Sequence, residues 1–143
     1  MLNSNGFLPE GIHELTLDQI KARFGSFNGS DRRVRLFERL ADYVSRVSGY
    51  PWYRGLIVDG SFVTSKTAPS DIDLILIVDP ELALGNNLRP GEYNLLSSRQ
   101  TRRVFGFDVF AAPESSTSLQ SWLEYFSQVR GSSERKGIVR LSP

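Results

Sequence analysis

The chain has 143 residues, a length that suits one domain built around one hydrophobic core. Apolar residues make up 40% and charged residues 23%, a globular mixture rather than a disordered one. Cysteine is absent, which excludes disulfides, thiolate metal sites and cysteine catalysis, and the net charge of +1 gives no reason in itself to expect a polyanion partner.

In chain order, residues 1–15 read as an irregular lead-in. The opening MLNSNGFLPEG has neither the basic start nor the apolar run of a signal peptide, and no stretch approaches the ~18 apolar residues of a membrane span. A cytoplasmic protein without a membrane partner is the expectation. Thr16-Leu17-Asp18-Gln19 is a capping-box pattern and opens a short helix that ends near Phe24-Gly25. Residues 26–30 form a polar linker. Ser30 or Asp31 caps a longer helix to about Ser48, with Val34, Phe37, Leu40, Ala41, Val44 and Val47 on its apolar face. Arg32, Arg35, Arg39 and Arg46 fall opposite; with Asp31, Glu38 and Asp42 interspersed they read as a solvated face.

Gly55-Leu56-Ile57-Val58 reads as a buried strand, with Asp59-Gly60-Ser61 turning out of it and Asp59 taken as structural. A polar loop, 64–70, leads to a second strand, 71–78, with sequence DIDLILIV. Residues 81–92 read as a loop, and the pattern over 93–104 fits helix or strand equally. A third strand spans 105–112, an amphipathic helix 118–130 and a terminal strand 137–141. Trp52 and Trp122 are assigned to the core, and His13 is taken as structural. Strands grouped in the middle with helices around them predict an α+β (α/β-like) fold, a small mixed sheet flanked by helices in a single domain, with residues 55–111 as its core.

Chemistry concentrates in that core. Asp71 and Asp73 are i and i+2 on a strand, so both project from one face. The residues after them are apolar at every position, as in a strand covered on both sides. Two carboxylates crowded there repel and lose hydration, and a hard divalent cation with oxygen ligands, Mg²⁺ or Mn²⁺, answers both problems. Asp108, alone within FGFDVF, joins the same face if its strand lies beside the DID strand. Three carboxylates can hold two metal ions, which activate an attacking oxygen and stabilise the leaving one in displacement at phosphorus. Gly60 lets backbone N–H groups approach a phosphate, and Ser61 adds a hydroxyl. Lys66 in the spacer loop stands as a phosphate contact or as a solvated loop lysine. The basic residues comprise fourteen Arg and three Lys, and Arg is the bidentate partner of phosphate and carboxylate. Arg99, Arg102 and Arg103 precede the Asp108 strand; Arg102 and Arg103 are candidates for phosphate contact, or for an ion pair with Asp108.

Gly60-Ser61, then Asp71-x-Asp73, then Asp108 on a later strand, resembles the polymerase-β-like nucleotidyltransferase superfamily over roughly residues 55–111. The stretches 8–25 and 60–74 resemble small stand-alone bacterial members, some of which are the nucleotidyltransferase partner in toxin–antitoxin pairs. The resemblance implies that Asp71 and Asp73 bind a metal bridging the triphosphate. It implies that Asp108 binds a second metal and helps deprotonate the acceptor hydroxyl, and that Gly60 and Ser61 hold the β- and γ-phosphates. It further implies transfer of a nucleoside monophosphate from a nucleoside triphosphate to a protein or RNA hydroxyl, a toxin protein and tRNA being candidate acceptors. Two other expectations stay open: a catalytically silent antitoxin that acts by occluding its partner, and an RNA-directed toxin of the same chemistry.

Overall fold

Leu74-Ile75-Leu76-Ile77-Val78 is buried at every position because both of its faces are covered. The computed structural model, which describes residues 2–25, 31–67, 69–82, 88–129 and 131–143, places this run at the inside of a five-stranded mixed sheet. The strands are β1 (Gly11–Glu14), β2 (Tyr53–Asp59), β3 (Asp73–Val78), β4 (Asp108–Pro113) and β5 (Gly137–Leu141), in the spatial order β1-β5-β2-β3-β4. β1 runs parallel to β5 and β3 parallel to β4; β2 is antiparallel to both β3 and β5. The helices are α1 (Leu17–Phe24), α2 (Arg32–Val47), α3 (Pro90–Leu96), α4 (Ser98–Phe105) and α5 (Thr117–Phe126). The protein is therefore an α+β domain.

Strand alternation sorts the core into two layers. Leu56, Val58, Leu74, Leu76, Val109 and Val139 pack with the apolar sides of α1, α2, α3 and α4. Ile57, Ile75, Ile77, Ala112 and Ile138 face the other way, onto Leu119 and Phe126 of α5. Phe110 and Trp122 stack between β4 and α5 with centroids 4.2 Å apart, while Trp52 is buried in the larger layer. No helix among the described residues is long and apolar enough to cross a membrane.

Several local expectations are met by identifiable interactions. Thr16 and Gln19 bond reciprocally as a capping box at the start of α1. Asp31 holds the N-cap position of α2 but makes no side-chain capping bond, its carboxylate pairing with Arg35 instead. The linker 26–30, Ser30 as an alternative cap, residues 83–87 of the expected loop and Arg130 lie outside the described residues. Other expectations are corrected. Residues 11–14 are a strand, not part of an irregular lead-in: β1 is joined to β5 by main-chain bonds, and its mostly exposed side chains leave no hydrophobic pattern to read. Residues 90–92 of the expected loop are helical, and the stretch 93–104, open between helix and strand in the sequence, falls in two helices, because Pro90 starts the first and Ser97 separates it from the second. Ser97 is extended, with ψ 123°, and its hydroxyl caps the backbone N–H of Gln100. Phe105 ends α4 rather than opening a strand, since Gly106 takes the left-handed conformation (φ 79°) that closes the helix. Asp71 precedes β3 instead of starting it, and α5 stops at Phe126. On α2 the buried set is Arg33, Leu36, Phe37, Leu40, Tyr43 and Val47; Val34 is 41% exposed.

Candidate active site

Pairing register builds the site. Asp59 on β2 lies opposite Asp73 on β3, and Asp73 lies opposite Asp108 on β4. Residues directly opposite one another on paired strands share a face, so three carboxylates form a row across three strands at one end of the sheet. The row is on the α5 side, since Asp59 stands two residues after Ile57, Asp73 two before Ile75 and Asp108 two before Phe110, and those three side chains pack there. Asp73 and Asp108 are thus neighbours, as the three-carboxylate expectation required. Asp59, taken as structural from the sequence, belongs to the row because β2 runs one residue further than its apolar stretch.

The turn after β2 depends on glycine. Gly60 has φ +90°, and a Cβ there would lie 3.0 Å from both the Asp71 carbonyl oxygen and the Asp73 nitrogen. Ser61 then opens a single 3₁₀ turn, Ser61–Val63. Its backbone N–H and hydroxyl both donate to Asp71 Oδ1, at 2.8 and 2.5 Å. The two donors expected to hold phosphate therefore hold a carboxylate of the same site.

Arg33 fixes the loop that follows. Its guanidinium is fully buried and donates to the carbonyls of Phe24, Phe62, Thr64 and Lys66 at 2.5–3.2 Å. Sequence periodicity assigns Arg33 no role, because only the folded loop brings these carbonyls together. Lys66 contributes a backbone carbonyl to this anchor, while its exposed side chain stands at the rim of the cavity described below.

Charge is concentrated in this corner. Burial, followed by repulsion from Asp71, Asp59 and Asp108, pushes the Asp73 carboxyl up to about 6, with Lys136 opposing the shift. Burial also pushes Asp59 up to about 6, against the pull of Lys136. Lys136 Nζ lies 2.5 Å from Asp59 Oδ1, and both side chains are nearly buried. Lys136 stands two residues before Ile138 and so comes from β5's side of the row; nothing in the local sequence marks it. At the other end of the row Arg102 forks Asp108, with Nε and Nη2 at 2.9 and 3.0 Å from its two oxygens. Of the two ion-pair candidates, Arg102 makes the contact. The Arg103 side chain is exposed and has no hydrogen bond or ion pair among the described residues. His13 makes its hydrogen bond outside the row, its Nε2 at 2.6 Å from the Pro9 carbonyl oxygen.

A cavity of about 750 Å³ opens over one end of the row. Asp59, Gly60, Ser61, Asp71, Asp73 and Lys136 line one side; the N-terminal turn around Gly6 and the chain at the end of α5 close the others. Asp108 lies beside Asp73 but outside this lining, as do Arg102 and Arg103. The donors are hard oxygens and the local charge is in excess, which fits Mg²⁺ or Mn²⁺. Among the described residues no three acidic or histidine side chains already converge as a cation site. Asp59, Asp71 and Asp108 turn instead to Lys136, Ser61 and Arg102, so a cation shared by Asp71 and Asp73 competes with Ser61 for Asp71.

The class defined by this architecture is an α+β domain with an aspartate row beside a glycine–serine turn at one end of a mixed sheet. The chain belongs to DUF6932, a family of unknown function, whose family model matches residues 1–142. No curated protein and no solved structure matches it.

Proposed function

We propose that the protein is a metal-dependent nucleotidyltransferase with a polymerase-β-like fold, acting in the cytoplasm and belonging to a toxin–antitoxin or defence module. It would move a nucleoside monophosphate from a nucleoside triphosphate to a hydroxyl of a protein or RNA. The observation that carries the reading is the register that sets Asp73 between Asp59 and Asp108, beside the Gly60-Ser61 turn at the wall of a cavity large enough for a nucleotide.

Asp71 and Asp73 would hold one divalent cation and Asp108 would share a second with Asp73. When bound, the cations supply charge neutralisation for the triphosphate and its leaving group. The chain's own residues supply position. Gly60 keeps the turn flush against residues 71–73, where any side chain would intrude. Ser61, released from Asp71, offers its N–H and hydroxyl to phosphate oxygens. Arg33 ties the intervening loop to the end of α1, donating to the Phe62, Thr64 and Lys66 carbonyls and to that of Phe24. In the transfer the acceptor oxygen bonds to the α-phosphorus, the bond to the bridging oxygen breaks and pyrophosphate departs. The acceptor's proton passes to an Asp108 oxygen freed from Arg102. Such catalysis is mostly orientation and electrostatic stabilisation.

Calorimetry with ATP, GTP, CTP and UTP in Mg²⁺ tests this on the wild type and an Asp71→Asn/Asp73→Asn double variant. Metal-dependent binding of at least one triphosphate, lost in the variant, is expected. Absence of binding by the wild type would overturn the reading. A second reading, a catalytically silent domain that acts by covering a partner, draws on the fork between Arg102 and both Asp108 oxygens. It requires that neutralisation of the partner survive replacement of Asp71, Asp73 and Asp108.

A further inference from the structure

Two lysines border the cavity, and they differ. Lys66 is exposed at the rim, whereas the Lys136 side chain is 13% exposed and reaches Asp59, whose side chain is 7% exposed. A buried ion pair of this kind contributes little net stability, because an apolar pair of similar volume commonly does as well or better. Its effect is positional: it holds a positive charge at one point beside the carboxylate row. An ammonium carries three N–H donors. Asp59 accepts one, and the Lys136 side chain has no other hydrogen-bond partner among the described residues. Lys136 shares the cavity wall with Ser61 and Asp73, so its remaining donors stand where a ligand of the cavity would meet them.

We infer that Lys136 is an oxyanion-binding residue of the site, its ammonium contacting a non-bridging oxygen of a bound polyphosphate, and that Asp59 is the positioning residue that keeps the ammonium there. The inference rests on the nucleotidyl-transfer reading, since the polyphosphate of that reaction is its ligand. The chemistry has a distinctive sign. A fixed cation near Asp73 opposes a metal ion bound alone and favours a polyanion bound with it. Removal of Lys136 should therefore change the two affinities in opposite directions. A lysine with a purely structural role would change both in the same direction or neither.

The experiment is calorimetry on the full chain with Mn²⁺ alone and with inorganic tripolyphosphate in Mg²⁺. The proteins compared are wild type, Lys136→Met, Lys136→Arg and Asp59→Asn, each with a thermal melt. Lys136→Met is expected to weaken tripolyphosphate binding about 10- to 100-fold, the loss of one charge-assisted contact. The same variant should tighten Mn²⁺ about threefold. Lys136→Arg should recover most of the tripolyphosphate affinity, and Asp59→Asn should lose part of it. Unchanged tripolyphosphate binding in Lys136→Met, or parallel loss of both ligands, would overturn the inference and leave the parent reading standing. A wild type that takes up neither Mn²⁺ nor tripolyphosphate would overturn both. Lys136→Gln serves the same comparison if the methionine variant does not fold.

Discussion

Gly60 and Arg33 hold the candidate site by opposite means, one by lacking atoms and the other by supplying them. A methyl group at residue 60 would meet the backbone of residues 71–73 while the chain kept a φ of +90°. Gly60→Ala should therefore cost about 2–4 kcal/mol from strain and displacement together, read as a lower urea midpoint at unchanged m-value. Arg33→Met leaves four carbonyls without the guanidinium they share. A loss of about 3–5 kcal/mol is expected, with faster proteolysis within residues 62–67 as the local signature. Arg33→Lys should recover only part of it, since an ammonium has no planar fork. These residues also mark where sequence reading stops. Glycine followed by serine after an apolar strand was legible as a special turn, and Asp71, Asp73 and Asp108 were legible as acids out of place in apolar surroundings. Arg33 and Lys136 were not, because their partners lie at sequence separations that no local pattern encodes.

At the scale of elements, the aspartate row is a property of three strands. Asp59 and Asp73 both carry carboxyls raised to about 6, above the ~3.9 of an unfolded chain. The folded state thus binds their protons more tightly than the unfolded state. The stability this contributes is complete below about pH 4 and is lost as pH rises through about 6. In chelator, the wild type should show a falling melting temperature from pH 5 to pH 7. Asp73→Asn should flatten that slope and melt higher than wild type at pH 8 by about 1 kcal/mol in stability. An unchanged slope in Asp73→Asn would mean that the row does not carry the repulsion described. The inner strands were readable as apolar runs, yet their ends were not. β2 continues to Asp59 and β3 begins only at Asp73, and those shifts decide which acids stand side by side. The two helices over 90–105 were hidden for another reason: Ser97 is both the end of one and the cap of the next, so neither shows a full periodic face.

For the whole molecule, helices on both faces leave the sheet ends as the places where chemistry can reach solvent. The α+β class was legible because apolar strands clustered between amphipathic helices, whereas β1 was not, since its place rests on main-chain pairing with β5. Deletion of residues 2–14 removes that pairing and the buried side chain of Leu8, 1% exposed. It also takes away the turn around Gly6 that closes the cavity. A loss of about 3 kcal/mol or more is expected from the melt, along with concentration-dependent association, because the deletion turns β5 into an unprotected edge.

The β1–β5 pairing also sets an order on how the chain can assemble. β2, β3 and β4 follow one another in the chain and pair in that order. β1 is made before all of them, but its neighbour is β5, which follows all of them in the chain. During synthesis the first strand therefore waits, with its main-chain groups unpaired, until residues 137–141 emerge, and so does the wall that residues near Gly6 lend to the cavity. A nascent chain that already holds the whole aspartate row therefore has the acids without the chamber around them until β5 is available to β1.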